Sequence, residues 1–426
     1  MTDQTVSVII VSRSRPDALR RCLRGISQLQ YSPFEVVVVA CPEGIAVAEE
    51  MEALPDIKCV VFREASISAA RNLGLIHAAG EIVAFIDDDA VPEPQWLRHL
   101  VAPALRSDVA AMGGFVRGRN GISFQYKART LDAQGTPQEV DIDPLQATVL
   151  KPPKGRAIKT EGTNMAFRRD VLVGIGGFDP AFRFYLDETD VNMRLARAGH
   201  ATALVPLAQV HHGFAASAMR REDRVPRDLY EIGASWAVFQ RKHIPQVDRK
   251  VHWLAQVAAE RRRVMQHMVA GGLEPRDVRF LMKRLAAGYA EGLDRGLGGA
   301  RLPKHPVQPF RPAVCVRRVA RFTALRGVRG TRALRDAAVR VTAGSIETVL
   351  VMSHTALFHR VFFDAQGVWV QQGGVFGRSD RDQPLFRLSS FNRRSLRERA
   401  RVALVRGLPY GAGQIDPANY RSNATD

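Results

Sequence analysis

The sequence SAARNLGLIHAAGEIVAFIDDDAVPEPQWL, residues 68–97, decides the fold of this chain. Its apolar residues recur on one helical face and stop at Gly80, which predicts a helix that ends there. The following run, residues 81–86, is short and apolar, as is typical of a strand in the middle of a parallel sheet. Three carboxylates, residues 87–89, come directly after that strand, at the edge of the predicted sheet.

The acidic triplet Asp87, Asp88 and Asp89 indicates a cation site. Neighbouring carboxylates repel one another, so this clustering at the mouth of a sheet is costly unless a cation lies there. Carboxylate oxygens suit Mg²⁺ and Mn²⁺, and open α/β folds bind ligands at the carboxyl ends of their strands. The alternative is a solvated acidic turn without a ligand.

Strands and helices alternate through the N-terminal half of the chain. Residues 6–11 and 34–40 are predicted strands on either side of a helix, and residues 57–62 are a third strand before a helix at 66–79. Residues 109–116 predict a further strand. Units of strand, helix and strand at this spacing predict a parallel sheet with right-handed crossovers.

Residues 118–159 show little periodicity, and three distinctive segments follow them. The segments are EGTNMAFRRDVLVGIGGFDPAF at 161–182, FYLDETDVNMRLARAGH at 184–200 and VHHGFAAS at 210–217. The second has an acidic cluster in the first turn of a predicted helix, which the helix dipole alone could explain. The paired histidines of the third could belong to an ordinary surface loop. Position alone therefore does not decide between structural and chemical roles.

Composition bounds the class of protein. The 426 residues allow two or three domains with a sizeable core, and 46% hydrophobic residues exclude wholesale disorder. No apolar run has the length of a membrane span, and MTDQTVSVII lacks a basic leader, so we expect a cytoplasmic location. The four cysteines show no CxxC spacing and are predicted to be reduced thiols.

The net charge of +18 is concentrated in one region. Residues 218–345 contain 27 Lys and Arg against 11 Asp and Glu, an excess of 27 − 11 = 16. Such a basic region attracts nucleic acid, anionic lipid headgroups or acidic polysaccharide. The alternative is a solvated helical surface without a partner.

Residues 6–217 resemble family 2 glycosyltransferases. The resemblance rests on motifs that occur in the order of the family: ARNLG, DDD, the segments at 161–182 and 184–200, and the HH pair. The resemblance implies a GT-A fold, an α/β architecture with a Rossmann-like, mostly parallel sheet flanked by helices. It also implies a nucleotide-sugar donor that is held through Mn²⁺ or Mg²⁺ by a DxD-type motif, here the acidic triplet.

The resemblance assigns roles at the donor site. Glu43 would replace a carboxylate that the family carries after strand two, because this strand ends in ACPEG without Asp-Asp-Gly. Arg71 of ARNLG would face the nucleotide, and a salt bridge to the triplet is the alternative. The predicted sets are Ser12, Arg13, Glu43, Arg71, Asp87 and Asp88 for the donor, and Asp87, Asp89 and His211 for the metal.

The E-D-x-D pattern of the family maps onto residues 187–190. Its second acidic position supplies the general base, which is Glu188 here. Asp187 remains an alternative, because Glu in place of Asp lengthens the reach of the carboxylate by one methylene. The resemblance further implies that Asn164 and Asp190 contact the acceptor.

The implied function is transfer of a sugar, with inversion, from a UDP-sugar to a hydroxyl of a glycan or lipid-linked acceptor. One alternative is a nucleotidyltransferase, which would need a glycine-rich phosphate loop where this chain has SRSRPD. Another is a basic polyanion-binding or membrane-binding protein with a non-catalytic GT-A domain. Nucleic acid is not expected as a partner.

Three domains are predicted: a catalytic domain at 1–217, a basic helical region at 218–345 and a small C-terminal region at 346–426 with a hairpin turn at 364–367. The basic region is predicted to dock peripherally on the inner face of the cytoplasmic membrane. Its predicted apolar contacts are Trp253, Met265, Phe322 and Leu325.

Overall fold

The computed structural model describes residues 4–327 and 330–409, which divide into two compact units. The first unit extends to Pro92 and includes Trp96–Arg119 and Phe124–Cys315. The second contains Glu93–Gln95, Asn120–Ser123 and the described residues from Val316 onward. Neither predicted boundary, at 217 or at 345, coincides with this division, and the three predicted domains stay a prediction.

The first unit contains thirteen strands and nine α-helices within its described residues. The strands are β1 (Val6–Ser12), β2 (Phe34–Ala40), β3 (Lys58–Val61), β4 (Ile82–Asp87), β5 (Ala90–Pro92), β6 (Val109–Arg117), β7 (Phe124–Tyr126), β8 (Arg129–Leu131), β9 (Pro137–Glu139), β10 (Thr148–Leu150), β11 (Ala157–Lys159), β12 (Asn164–Arg168) and β13 (Ala201–His212). The helices are α1 (Pro16–Ile26), α2 (Pro42–Glu49), α3 (Ile67–His77), α4 (Trp96–Val101), α5 (Arg169–Gly174), α6 (Asp187–Arg197), α7 (Tyr230–His243), α8 (Gln246–Val269) and α9 (Pro275–Asp294).

The central sheet has the order β10-β13-β6-β12-β4-β1-β2-β3, with β5 beside β13 and β7 beside β6. Strand β1 is parallel to β2 and β4, β2 is parallel to β3, and β6 is parallel to β13. Strand β12 is antiparallel to both of its neighbours. The predicted α/β class with a mostly parallel sheet is confirmed.

The register of the sheet brings the ends of three strands to one edge. Val11 of β1 lies beside Asp87 of β4, and Ser12 lies beside Ala40 of β2. Because these strands are parallel, the residues that follow them meet at their shared carboxyl edge.

Alternate side chains of the strands pack on opposite faces of the sheet. Val8 and Ile10 of β1 share a cluster with Leu19 of α1. Ile9 packs on the other face with Leu75 of α3 and Val191 of α6. Helices cover both faces, which explains why the parallel strands are almost continuously apolar.

The stretch predicted to be irregular, residues 118–159, contains five three-residue strands, β7 to β11. Three of them form a separate sheet in the order β11-β8-β9. Segments of three residues are too short to show a period of two in the sequence, so the pattern there predicted no strands.

Helices α7 to α9 belong to the first unit because α7 packs on α6. Trp236 and Phe239 of α7 share a core with Met193 of α6. Helix α9 then approaches α7 closely at two glycines. A Cβ at Gly288 would collide with the carbonyl oxygen of Tyr230, and one at Gly233 would collide with that of Leu285. Residues 218–315 are therefore part of the first unit.

The second unit contains β14 (Val319–Arg326), α10 (Thr331–Thr342), β15 (Ser345–Ser353), β16 (Arg360–Phe363), β17 (Trp369–Gly374) and α11 (Phe391–Arg406). Its sheet has the order β14-β15-β17-β16, with β16 antiparallel to β17. The predicted turn at 364–367 is confirmed by the hydrogen bond from the Gly367 amide to the Asp364 carbonyl at 3.2 Å. Residues 319–326 lie in the region predicted to be helical but form strand β14, which pairs with β15 and packs Phe322 and Ala324 against a cluster of the second unit.

Three of the four side chains predicted to face a membrane pack within their own unit. Trp253 stacks on Tyr289 with ring centroids 3.8 Å apart. Phe322 and Leu325 pack against clusters of the second unit. Met265 is 37% exposed. Across residues 4–327 and 330–409, no helix combines the length and the hydrophobicity needed to cross a membrane.

Asp190 is predicted to stabilise the packing of α7 on α6. Its carboxylate is fully buried and contacts His243 Nε2 at 2.8 Å, Lys242 Nζ at 2.7 Å and Arg194 Nε at 2.8 Å. We expect Asp190→Asn to lower the free energy of unfolding by about 3 kcal/mol, because it leaves buried cationic partners uncompensated. Urea denaturation measures this change.

The stability that Asp190→Asn loses should depend on pH. Burial alone would raise the pKa of Asp190, but the hydrogen bond from His243 and the charges of Arg194 and Lys242 hold it below its ordinary value. The stabilisation is therefore complete above the unfolded pKa of about 3.9 and disappears as the pH falls toward the lower folded value. Asp108→Asn, which removes an exposed partner of Arg106, is the control and should leave stability unchanged. Equal stability of Asp190→Asn and wild type at neutral pH would contradict this role.

Candidate active site

The acidic triplet lies at the carboxyl end of β4, and each carboxylate has different partners. Asp87 accepts a hydrogen bond from Thr163 Oγ1 at 2.6 Å. Asp88 is buried, accepts a hydrogen bond from Ser12 Oγ at 2.7 Å and forms an ion pair with the Arg15 guanidinium at 2.7 Å. Asp89 is also buried and contacts Arg15 at 3.2 Å. One guanidinium thus bridges the second and third carboxylates.

The environments of Asp88 and Asp89 push their pKa values apart. Burial raises the pKa of Asp88 to about 7, against the opposing charge of Arg15. Burial also acts on Asp89, but its hydrogen bond and ion pair with His212, together with Arg15, hold the pKa of Asp89 well below its usual range.

Asp87, Asp89 and His212 each bring a ligand atom to one place, with these atoms within 4.8 Å of one another. The sequence prediction of His211 is corrected, because His212 rather than His211 belongs to this group. Both histidines lie on β13, where successive side chains point to opposite faces. The sequence motif HH does not show which of the two faces the triplet.

The chemistry of this group fits a divalent cation. His212 Nδ1 lies 3.0 Å from Gln125 Oε1, and its Nε2 lies 3.2 Å from Asp89 Oδ1. The ring is thus held with one nitrogen directed at a carboxylate of the triplet. Two carboxylates and an imidazole are an acceptable ligand set for Mn²⁺.

Arg71 links the triplet to the acidic turn of α6. Its buried guanidinium lies 2.5 Å from Asp187 Oδ2 and 3.3 Å from Asp87 Oδ1, and it donates to the Gly162 carbonyl at 3.0 Å. The salt bridge that the sequence left as an alternative is thus present. A contact of Arg71 with the nucleotide stays a prediction.

Glu188 lies next to a second buried cation, Lys159. The Lys159 Nζ is 3.3 Å from Glu188 Oε1 and 3.3 Å from Glu161 Oε1. The Glu188 side chain is 16% exposed, whereas that of Asp187 is 3% exposed. Glu188 is therefore the more accessible of the two carboxylates that begin α6.

The pKa values in this cluster also diverge. Burial raises the pKa of Asp187 to about 7, with Arg71 opposing the increase and the charge of Glu188 adding to it. Burial likewise raises the pKa of Glu161 to about 7. Partial burial acts on Glu188 as well, but Lys159 and then Arg71 outweigh it and lower the pKa of Glu188. Glu188 is the carboxylate that remains ionised, as a general base must be.

An uncommon backbone conformation presents these carboxylates. Tyr185 and Leu186, directly before α6, both have positive φ angles, 73° and 67°. Two successive left-handed residues without glycine are strained, and such strain occurs at functional sites where the surroundings hold it in place. Tyr185 packs edge-on against Trp236 of α7, with ring centroids 6.0 Å apart.

The remaining predicted donor residues lie near the same edge of the sheet. Ser12 ends β1 and contacts Asp88, as described above. Arg13 follows β1, and Glu43 lies in the first turn of α2, directly after β2; both are exposed. Their contact with a donor stays a prediction.

Asn164 and Asp190 do not line the site, and their predicted contact with an acceptor is corrected. Asn164 is fully buried, donates to the carbonyls of Phe115 and Ala208, and accepts from Trp96 Nε1 at 2.8 Å. Asp190 is bound by the buried cluster of α6 and α7. Their polar atoms are satisfied by the framework, which leaves them no group to offer to a ligand.

Sequence reasoning missed five residues of the site. The basic run SRSRPD after β1 could have suggested Arg15 as a partner of the triplet, and the HH pair contained His212. Nothing in the local pattern indicated the other three, because their roles depend on contacts across the fold. The missed residues are Arg15, Lys159, Glu161, Thr163 and His212.

The first unit thus combines an α/β sheet, an acidic triplet at the carboxyl edge of that sheet and the carboxylates that begin α6, with Arg71 between them. Residues 3–230 match the family model described as "Glycosyltransferase like family 2", more than half of the chain. The chain belongs to this glycosyltransferase family. This favours a glycosyltransferase over the nucleotidyltransferase alternative.

Two curated relatives illustrate the similarity. The O-antigen biosynthesis protein RfbC of Myxococcus xanthus is 26% identical over 55% of this chain and 19% of its own length. The glucosyl-dolichyl phosphate glucuronosyltransferase of Haloferax volcanii is 27% identical over 41% of this chain and 56% of its own length. The chain thus matches less than two thirds of the length of either relative.

Among solved structures, GalNAc-T7 with UDP, GalNAc and Mn²⁺ aligns with a TM-score of 0.41 at 17% identity, over 49% of this chain and 44% of that one.

The two histidines of β13 give a direct test of the cation site. We expect His212→Ala to weaken Mn²⁺ binding at least about tenfold, as is usual when a ligand or its support is removed, because it deletes one of three ligands. Isothermal titration calorimetry with Mn²⁺ alone measures the affinity. His211→Ala is the matched control and should bind like wild type. If His211→Ala weakened Mn²⁺ binding and His212→Ala did not, the result would support His211 as the ligand, as the sequence predicted.

Proposed function

We propose that this glycosyltransferase moves a sugar from a nucleotide-sugar donor, for which we favour a UDP-sugar, to an acceptor hydroxyl with inversion. The observation that carries the proposal is the Arg71 bridge, which joins Asp87 of the triplet to Asp187, next to Glu188. It links a cation-binding group to an ionised carboxylate within one site. Transfer from an activated donor needs both.

Asp87, Asp89 and His212 would hold Mn²⁺ or Mg²⁺, as the clustering of their ligand atoms within 4.8 Å supports. When bound, the ion neutralises charge on the leaving diphosphate. Ser12 and Arg15 keep the buried Asp88 in position beside these ligands. Arg13, Glu43 and Arg71 are proposed to contact the nucleotide.

Glu188 is proposed to be the general base. Its carboxylate takes the proton of the acceptor hydroxyl while that oxygen forms a bond to the anomeric carbon and the bond to the diphosphate breaks. Attack from the side opposite the leaving group inverts the anomeric centre. Glu188 can accept the proton at neutral pH because Lys159 and Arg71 keep it ionised. The pKa of Asp187 is raised instead, and Asp187 is proposed to position Arg71.

We propose a glycan or a lipid-linked glycan as the acceptor, reached at the cytoplasmic face of a membrane. Support comes from the two relatives, of which one is named for O-antigen biosynthesis and the other for a dolichyl phosphate substrate. A nucleotide-sugar panel, read as thermal stabilisation with and without Mn²⁺, identifies the donor that the later assays use.

Glu188→Gln tests the base. We expect it to retain donor affinity and to lose transfer by about 10²–10⁴-fold, the usual contribution of general base catalysis, because the amide cannot accept the proton. Transfer is measured with the donor found in the panel, and donor affinity by calorimetry. Asp187→Asn is the companion variant. A large loss of transfer in Asp187→Asn, with almost none in Glu188→Gln, would identify Asp187 as the general base instead.

Lys159 is predicted to be a positioning residue for Glu188. Lys159→Met removes the cation that lowers the pKa of Glu188, so that pKa rises and the base is protonated at higher pH. The acid limb of the pH profile of transfer should therefore shift to higher pH. Lys159→Arg should keep the limb near its wild-type position. A uniform loss in Lys159→Met, without a shift of the limb, would indicate a purely structural role.

A further inference from the structure

Helix α8 has two apolar faces, of which only one is covered. Its inner face contributes Val264, which is fully buried, and Trp253, Val257 and Met268 to a cluster with α9. His252 on the same side contacts Gln240 of α7 at 2.8 Å. These contacts account for the stable packing of α8 on its unit. They do not account for the apolar residues on its other side.

The uncovered side is called the outer stripe of α8. At 100° per residue its members fall within an arc of about 60° along the 24-residue helix. Val247 is 84% exposed, Val251 72%, Leu254 58% and Val269 83%. The stripe has a member every three or four residues from 247 to 258 and again at 265 and 269, with Arg261 and Arg262 between these two parts. Apolar residues clustered on one side of a helix mark an interaction site rather than scattered exposure. The members are Val247, Val251, Leu254, Ala258, Met265 and Val269.

Cations border the outer stripe on both sides. On the helical wheel, exposed Lys250 and Arg261 lie along one edge and Arg262 along the other. Asp248 is the nearest exposed acidic residue on α8 and lies farther from the stripe than Arg262 does. Apolar residues with flanking Lys and Arg form the pattern of a helix that lies in the headgroup region of a bilayer.

The inner side of α8 is coupled to the candidate active site. Trp236 of α7 packs edge-on against both Tyr185 and His252 of α8, with ring centroids 6.0 Å and 5.2 Å apart. Tyr185 is 40% exposed and lies two residues before the acidic turn of α6. The helix with the outer stripe thus borders the residues that flank the proposed base.

We propose that the outer stripe of α8 docks the protein on an anionic lipid bilayer. Its apolar side chains enter the headgroup boundary, and Lys250, Arg261 and Arg262 pair with lipid phosphates. Docking needs no catalysis. Its consequence, that the acceptor is a lipid-linked glycan presented at the bilayer surface, rests on the proposed function.

Charge favours a bilayer over a second copy of the chain. In a twofold dimer through this face, the stripe of one copy would meet the same stripe of the other, and the flanking cations would lie against cations. Like charges at an interface oppose association. A surface of anionic headgroups supplies the opposite charge along the whole helix.

Flotation of the full chain with vesicles tests the proposal. The probes are vesicles of phosphatidylcholine with phosphatidylglycerol, and vesicles of phosphatidylcholine alone. We expect recovery with the anionic vesicles only, and a decrease as salt is added. Arg261→Glu with Arg262→Glu should weaken partitioning about fivefold or more for each cation removed. Arg98→Glu with Lys151→Glu, at exposed positions outside α8, is the charge-matched control and should partition like wild type.

Two matched leucine variants test the apolar contribution to vesicle binding. Leu254 and Leu105 are both 58% exposed, but only Leu254 lies on the outer stripe. Leu254→Glu should abolish recovery with anionic vesicles, and Leu105→Glu should not. Unfolding curves show whether each variant is folded, and Mn²⁺-dependent binding of a nucleoside diphosphate, which the docking variants should retain, reports separately on the proposed function.

Three outcomes would overturn the docking proposal. The first is equal recovery with neutral and anionic vesicles, or recovery with neither. The second is an equal loss in Leu254→Glu and Leu105→Glu. The third is a dimer in sedimentation that Leu254→Glu converts to a monomer, since the stripe would then bind a second copy. If the wild type did not bind a nucleoside diphosphate in the presence of Mn²⁺, the result would instead count against the proposed function.

Discussion

The buried guanidinium of Arg71 is the interaction on which the site depends. It contacts Asp187 and Asp87 and donates to the Gly162 carbonyl, so it joins α3, the end of β4, the segment before β12 and the start of α6. A buried arginine keeps its charge, and leaving it unpaired is costly. Each of these elements must therefore keep its acceptor in place. One side chain thus fixes the separation between the acidic triplet and the carboxylates of α6.

The same electrostatic arrangement occurs on both sides of that bridge. In each pair of adjacent carboxylates, burial raises the pKa of one member to about 7, whereas neighbouring cations lower the pKa of the other. Asp89 and Glu188 are the members that stay ionised. Adjacent residues of similar chemistry acquire different roles because their surroundings differ. His212 beside Asp89 and Lys159 beside Glu188 produce this difference.

Polar residues inside the first unit divide into those that face the site and those that support it. Asn164 connects β12 to its neighbours, and Asp190 holds α7 on α6. Both belong to motifs that resemble ligand-binding sequences, yet both are saturated by internal hydrogen bonds. Their packing in turn attaches α7 to the sheet, and α7 carries α8 and α9. The basic helices are therefore an extension of the catalytic unit.

The sequence by itself determined the features that depend on local patterns. Apolar runs predicted the parallel strands, the DDD run predicted a cation site at the end of β4, and the DETD run predicted Glu188 as the general base. The tertiary structure alone decided that His212 joins the triplet, that Lys159 lies beside Glu188, and that residues 218–315 belong to the first unit. These outcomes depend on which side of a strand faces the site and on contacts between distant segments. Periodicity and composition do not encode such contacts, because they describe only neighbours along the chain.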